Sequence, residues 1–172
     1  MSQLVALSVS IGLLGGIATF LYLKIGLLIW AGFIAWACFF HSGGDSNALK
    51  NTIVCNAFGA VCAWVGALII LSFPMADSLG LPAWAAIVVG LTVLVLCLGA
   101  HIKAFSSIPA SVYGYASVFA FLLGNATENM TKEKLMSASL ANALILVVVS
   151  MIVGAIFGLL SGKLAGALTS KS

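Results

Sequence analysis

Eleven charged side chains divide the 172-residue chain into six long stretches that carry no charge. Each stretch is 20 to 28 residues long and rich in Leu, Val, Ile, Ala, Phe and Gly. An α-helix needs about 20 apolar residues to cross the hydrocarbon core of a bilayer. The pattern therefore predicts an all-α polytopic membrane protein with six transmembrane helices. The stretches are residues 1–23, 25–44, 51–76, 78–102, 104–127 and 135–162.

The small number of charges excludes several classes of protein. Only 6% of the residues are charged and 63% are hydrophobic, whereas an ordinary soluble domain has about 25% charged residues. So few charges cannot cover a water-facing surface, which excludes a soluble globular enzyme and a nucleic-acid-binding domain. The net charge of +3 is also too small to indicate a polyanionic partner.

The sequence lacks the residue patterns that catalysis or metal binding in a membrane would need. It contains no His-Glu-x-x-His pattern, and its four cysteines form no close Cys-x-x-Cys pair. We therefore expect neither enzymatic activity nor a metal or cofactor. All four acidic residues fall in predicted loops, so a coupled pump would lack its usual intramembrane carboxylate. These absences favour a passive conduit over an active transporter.

The lysines in the predicted loops indicate how the chain is oriented, because cytoplasmic loops carry an excess of basic residues. The majority of four against three predicts that both termini are cytoplasmic. The chain begins without a basic leader, so we expect the first helix to remain in the mature protein. One side would carry Lys50, Lys103, Lys163 and Lys171, and the other side Lys24, Lys132 and Lys134.

The two halves of the sequence show a weak internal similarity. Residues 32–40 resemble residues 114–122, since each segment begins with glycine followed by an aromatic side chain. The residues around Asn56 likewise resemble those around Asn142. A repeat of three helices would place the second copy upside down in the membrane, as in many channels and secondary transporters. The predicted repeats cover residues 1–76 and 78–168 of a single six-helix domain of residues 1–172.

Three segments resemble a known family. They are the Gly-Leu-Leu-Ile-Trp-Ala-Gly-Phe segment at residues 26–33, the turn at Gly43 and Gly44, and the Ile-Pro-Ala-Ser-Val-Tyr-Gly-Tyr-Ala-Ser segment at residues 108–117. Together they resemble the YcdZ-type small bacterial inner-membrane proteins, a family defined by a domain of unknown function. The resemblance extends over residues 4–165. It implies a six-span protein of the bacterial inner membrane, and it supplies no substrate or catalytic residue.

Two asparagines in the predicted spans are candidate pore residues. Asn56 and Asn142 are expected about two turns inside the third and sixth helices, and a buried amide in lipid needs partners, so both should face the helix bundle. Two interpretations stay open. The amides either join neighbouring helices, or they face a pore as a pair that the inverted repeat relates.

Four basic side chains are candidate mouth residues, because they lie near helix ends. Lys24 and Lys103 either anchor helix ends by extending to the membrane surface or attract an anion to the two mouths. His41 and His101 either lie passively at the interface or sense pH on the cytoplasmic side.

Glycines recur every four residues in the predicted last helix, and a shorter series occurs in the first. Small residues at this spacing let another helix approach closely. The contact could lie within one chain or between the subunits of a homo-oligomer, and both interpretations stay open. The residues are Gly154, Gly158, Gly162 and Gly166 in the last helix, and Gly12 and Gly16 in the first.

These observations favour a passive channel or facilitator for a small neutral or anionic solute. The alternative is a non-transporting accessory or scaffold subunit whose glycine faces bind partner helices. The expected partners are the lipid bilayer, a small solute and further copies of the chain, with no nucleic acid.

Overall fold

The computed structural model describes residues 1–73 and 75–169, and the regular structure within them is helical, with no strand. Lys171, which contributes to the predicted orientation, lies outside the described residues. Two 3₁₀ turns are formed by Gly99–His101 and Lys103–Phe105. The helices are α1 (Gln3–Ile25), α2 (Ile29–His41), α3 (Ser46–Ser72), α4 (Ala76–Leu79), α5 (Leu81–Leu98), α6 (Ile108–Gly124), α7 (Ala126–Asn129), α8 (Lys132–Met136) and α9 (Ala143–Leu168).

Several helices are suited to a membrane, but they differ in length. Two of the apolar helices, α2 and α6, have only 13 and 17 residues. At 1.5 Å per residue α2 is about 20 Å long, which is less than the hydrocarbon core of about 30 Å. Six full-length spans therefore stay a prediction. Among the described residues, the four segments long and apolar enough to cross a membrane are Gln3–Ile25, Ser46–Ser72, Leu81–His101 and Ala143–Leu168.

The helix α2 is shorter than the predicted span 25–44, in part because Gly26 ends the first helix and a connector follows it. Gly26 adopts a left-handed conformation with φ of 75°, which ends α1. The backbone N–H groups of Gly26 and Leu27 both donate to the carbonyl oxygen of Tyr22. The predicted stretch 25–44 thus contains a connector at residues 26–28 followed by the 13 residues of α2.

The first compact unit consists of residues 1–53 together with α9 from Val149 onward. It contains α1, α2, the beginning of α3 and most of α9. Trp36 of α2 stacks on Phe157 of α9, with ring centroids 5.9 Å apart. The indole Nε1 of Trp36 also donates to the Ser161 hydroxyl at 3.0 Å, and the Ser10 hydroxyl of α1 donates to the Ser161 carbonyl oxygen. These contacts join three helices around Ser161.

The second compact unit consists of residues 54–148. It contains most of α3, the helices α4 to α8 and the first turns of α9. The hydroxyls of Thr92 in α5 and Tyr115 in α6 form a hydrogen bond of 2.8 Å. The indole Nε1 of Trp64 in α3 donates to the carbonyl oxygen of Leu135 at 2.9 Å, which holds α8 on this unit.

Neither unit coincides with a predicted repeat. The first unit combines the first two helices of the first predicted repeat with most of α9, the last helix of the second. The second unit combines α5 and α6 with most of α3, the last helix of the first predicted repeat. The short helices α2 and α6 each occupy the middle position among the three main helices of their half of the sequence.

Candidate functional site

In the first unit, the connector before α2 packs beside α9 and not at the end of that helix. The backbone N–H of Leu28 donates to the Ser150 hydroxyl at 3.0 Å. The buried hydroxyl of Tyr22 donates to the Ser150 carbonyl oxygen. Ser150 is the eighth residue of α9, so it lies about 10 Å along the helix from its start. The connector at residues 26–28 is therefore level with the apolar interior of α9.

In the second unit, the connector before α6 packs beside α3 in a similar way. The thiol of Cys55 donates to the carbonyl oxygen of Ala104 at 3.6 Å. The ring of Phe58 stacks on Phe105, with centroids 4.2 Å apart and an interplanar angle of 11°. Cys55 and Phe58 are the tenth and thirteenth of the 27 residues of α3. The connector at residues 99–107 is therefore level with the part of α3 near its middle.

Glycine permits the close approach of this connector to α3. A Cβ atom at Gly99 would lie only 2.5 Å from Cζ of the Phe58 ring. Any larger residue at Gly99 would push the ring away from Phe105. The sequence therefore fixes the connector at this level through one glycine and one pair of stacked rings.

In each unit a short helix contacts a long helix at a glycine: α2 contacts α9, and α6 contacts α3. In the first unit, a Cβ atom added at Gly154 of α9 would overlap the backbone of Gly32 in α2. Gly154 is the twelfth of 26 residues, close to the middle of α9. In the second unit, a Cβ atom at Gly59 of α3 would overlap the Ser111 carbonyl of α6. Gly59 is the fourteenth residue of α3, again at the middle of a long helix.

Buried polar side chains cluster where α3 and α6 meet. Asn56 is buried, and its backbone lies against Gly114 of α6. Ser111 and Ser117 are 0% and 1% exposed, and their hydroxyl oxygens have no hydrogen-bond partner among the described residues. A serine inside a helix can bond the carbonyl four residues earlier. In this structure neither hydroxyl makes that bond.

The prediction that Asn142 lies two turns inside the last helix is wrong, since α9 begins at Ala143. The Asn142 Oδ1 accepts from the Leu144 backbone N–H at 2.9 Å. Its Nδ2 donates to the carbonyl oxygens of Leu135 and Ser137 at 2.8 and 2.9 Å. Asn142 therefore caps the helix and closes the preceding loop. Asn56, by contrast, lies inside α3, so the two asparagines are not structurally equivalent.

Three of the four candidate mouth residues, Lys24, His101 and Lys103, lie at or near the two connectors, whereas His41 lies at the other end of α2. Lys24 is exposed in the last turn of α1, with its ammonium 5.9 Å from the centroid of the Phe20 ring. Lys103 is exposed within the connector before α6. His41 ends α2 and His101 ends the first 3₁₀ turn, and both are exposed. No group of three or more His, Cys, Asp or Glu suited to a metal occurs in the part of the chain that the structure describes.

The glycines of α9 differ in what they contact. Gly154 lies against α2, and a Cβ atom at Gly158 would come within 2.9 Å of Cδ1 of Phe39, also in α2. A Cβ atom at Gly162 would make ordinary contacts of 3.9 to 4.0 Å with the rings of Phe39 and Phe40. The beginning of the series thus packs within the chain.

Three other glycines of the predicted packing set have open surroundings. A Cβ atom at Gly12, Gly16 or Gly166 would meet no described atom within 4 Å beyond its own helix. Gly12 and Gly16 are also exposed. These positions have no packing role within the described chain.

Sequence reasoning missed the residues that hold the connectors. In the sequence Ser150 resembles any serine in a helix, and Cys55 resembles a small apolar side chain. In the structure Ser150 bonds the backbone of the connector before α2, and Cys55 bonds the backbone of the connector before α6. The available signal was Gly26, which can end a helix, followed by only two residues before α2. Neither bond can be inferred from spacing, because each joins residues far apart in the sequence.

Comparisons with known proteins place the chain in a family without an assigned activity. No curated protein and no solved structure matches the chain. One family model, DUF1097, described as a protein of unknown function, matches residues 8–166. This match covers nearly all of the helical region, so the chain belongs to the DUF1097 family of proteins of unknown function.

Proposed function

We propose that this protein is a passive, non-enzymatic conduit for small neutral or anionic solutes in the bacterial inner membrane. The observation that carries the proposal is the position of the connectors at residues 26–28 and 99–107, each beside the interior of a long apolar helix. Non-helical backbone at membrane depth is tolerated where it is buried in protein or lines a water-filled cavity. Short helices in corresponding positions of two halves are a pointer to a solute site.

Exposure of the second connector supports a water-filled mouth. Residues 101–104 are all exposed, and they include the ionisable side chains of His101 and Lys103. Lipid cannot satisfy their polar groups, so this stretch should face water. Lys24 stands just before the other connector, and a cation at each mouth favours neutral and anionic solutes over cations.

In this proposal the chain crosses the membrane six times, as two inverted repeats with both termini in the cytoplasm. Single cysteines at Gly44 and Asn129, in a background without Cys38, Cys55, Cys62 and Cys97, should then be labelled from opposite sides. We expect labelling of Asn129→Cys from the periplasm, measured with a membrane-impermeant maleimide on intact cells. Labelling of both positions from one side would contradict six passes, and exchanged sides would contradict only the orientation.

Water access to the connector can be measured directly. In a background that lacks Cys38, Cys62 and Cys97 but keeps the buried Cys55 that bonds this connector, Ala104→Cys should react readily with a water-soluble maleimide, because its backbone lies in the exposed connector. The matched control is Leu91→Cys, an exposed position inside α5, which should react poorly because it would face lipid. Equal rates at the two positions would contradict a water-filled mouth.

Purified protein in liposomes tests transport itself. Native protein should speed the passage of formate and urea without an ion gradient. Lys24→Gln with Lys103→Gln should lower formate flux about threefold at low salt, since each charge acts through water at several ångströms, and should leave urea flux unchanged. The effect should shrink as salt screens the charges. Lys163→Gln, an exposed lysine of α9, is the control. If no solute passes faster than through empty liposomes, the conduit is refuted.

The second candidate is an accessory or scaffold subunit, alone or as a homo-oligomer. Only 17% of the most apolar 18-residue segment of α1 is buried. Gly12 and Gly16 on this helix leave room for another helix to approach. Gly12→Leu with Gly16→Leu should then release a partner chain while thermal stability stays unchanged, measured by the mass of the detergent-solubilised complex. An unchanged mass would count against this candidate.

A further inference from the structure

A second feature, independent of the conduit, is an apolar cavity of about 400 Å³ in the second unit. Side chains of α5 and α6 form its long walls, and Ile70 near the end of α3 contributes to it. Its lining surface is apolar, and the hydroxyl of the lining residue Tyr115 is hydrogen-bonded to Thr92 at 2.8 Å. The cavity therefore offers an occupant hydrocarbon contact and no unsatisfied polar partner.

The cavity is elongated along the helices. Leu81, Ala85 and Val89 line it from α5 at a spacing of four residues, which places them on one face over about 12 Å. Residues Tyr115, Phe119 and Leu123 line it from α6 at the same spacing. A slot of this shape accommodates an extended chain better than a compact ligand.

One end of the slot lies at helix termini. Leu81 is the first residue of α5, Leu123 is the last but one of α6, and Met130 lies between α7 and α8. The other end, at Val89 and Tyr115, lies within the helices. A long occupant would thus have one end among apolar side chains and the other beside the polar segment 125–142.

Cationic side chains follow Met130 closely in this polar segment. Lys132 is exposed and Lys134 is half-buried, while the acidic Glu128 and Glu133 are both exposed. The next residue, Leu135, is buried, and its carbonyl oxygen accepts from Trp64 and Asn142. The lysines are therefore carried on a segment that is fixed to the unit. Lysines at a membrane surface can contact lipid phosphate groups.

We propose that this slot is a binding site for one acyl chain of a phospholipid, whose phosphate lies at Lys132 and Lys134. Only the phosphate is required of the headgroup, because it is the group that the lysines would recognise. The site needs the chain to lie in a bilayer and does not depend on transport, so the conduit and the lipid site can fail separately.

The test is the number of lipids that the purified protein retains. Protein stripped of native lipid is mixed with a phosphatidylglycerol of defined mass in detergent, and bound lipid is counted by native mass spectrometry. Native protein should retain one lipid. Ala85→Phe, which fills the slot from α5, should lose it, whereas the neighbouring exposed Ala86→Phe should retain it.

A second pair of variants guards against a folding defect at Ala85. Ala116→Phe fills the slot from α6, and Ala120→Phe on the same helix lies outside it. Variants are compared only if their unfolding midpoints without lipid match that of the native chain. Lys132→Gln with Lys134→Gln should weaken retention severalfold.

Two outcomes would overturn the lipid site. One is native protein that retains no phospholipid, or only an apolar molecule of another mass. The other is retention by Ala85→Phe and Ala116→Phe that equals retention by their controls.

Discussion

A Gly154→Leu variant is expected to unfold at a much lower temperature than the native protein or to fail to fold. Any side chain at Gly154 would overlap the backbone of Gly32 in α2, and backbone cannot move aside as a flexible side chain can. Overpacking costs about 1–3 kcal/mol where neighbours can adjust, and we expect at least that here. The measurement is the unfolding midpoint of detergent-solubilised protein by circular dichroism.

Gly166→Leu is the matched control for this prediction, because it lies in the same helix series and its surroundings are open. Its midpoint should stay close to that of the native chain. In the second unit, Gly59→Leu should resemble Gly154→Leu, since a Cβ atom there would overlap the Ser111 carbonyl. Equal midpoints for Gly154→Leu and Gly166→Leu would contradict the packing of α9 on α2.

The glycine pattern shows which part of the packing could be predicted from sequence. A repeat of four identifies a helix face that another helix can approach, but Gly154 and Gly166 are indistinguishable in such a pattern. Gly154 meets a second glycine, Gly32, whereas a Cβ atom at Gly166 would meet no atom of the described residues within 4 Å outside its own helix. The partner helix is distant in sequence, so only the folded chain distinguishes the two positions.

Helix lengths were predictable only in part from the charges. Four charge-free stretches coincide largely with helices of membrane-crossing length, although Lys24, Lys50 and Lys163 lie inside those helices and do not end them. The stretches 25–44 and 104–127 contain the shorter α2 and α6. Helix ends also depend on backbone conformation, and Gly26 begins a connector inside the stretch 25–44. A stretch without charge can lie in lipid, but the absence of charge does not require the stretch to form a single helix.

The candidate polar residues were predicted in part. Asn56 lies inside α3 and is buried, as its apolar surroundings suggested. Asn142 was misplaced because the predicted span began at residue 135, whereas α8, the turn after it and Asn142 itself occupy residues 132–142 before α9 begins. Asparagine is favoured at helix N-termini as well as in buried polar contacts, and composition alone does not separate these roles.

Removal of the Ser111 and Ser117 hydroxyls is expected to maintain or raise the stability of the protein and to lower its transport. Both are buried without a hydrogen-bond partner among the described residues. An unsatisfied buried polar group costs about 1–3 kcal/mol. The double variant Ser111→Ala with Ser117→Ala removes both hydroxyls without adding volume. Its unfolding midpoint in detergent should therefore equal or exceed that of the native protein.

The same double variant should transport poorly if these hydroxyls replace part of the hydration of a passing solute. Each hydrogen bond contributes about 0.5–1.5 kcal/mol, so losing two should lower urea flux into liposomes roughly tenfold. The control is Ser8→Ala, whose hydroxyl donates to the Leu4 carbonyl oxygen of its own helix at 2.8 Å, and which should transport normally. Unchanged urea flux in the double variant would remove Ser111 and Ser117 from the solute path. Reduced stability would show instead that their hydroxyls are satisfied in the folded protein, because only then does their removal cost a hydrogen bond.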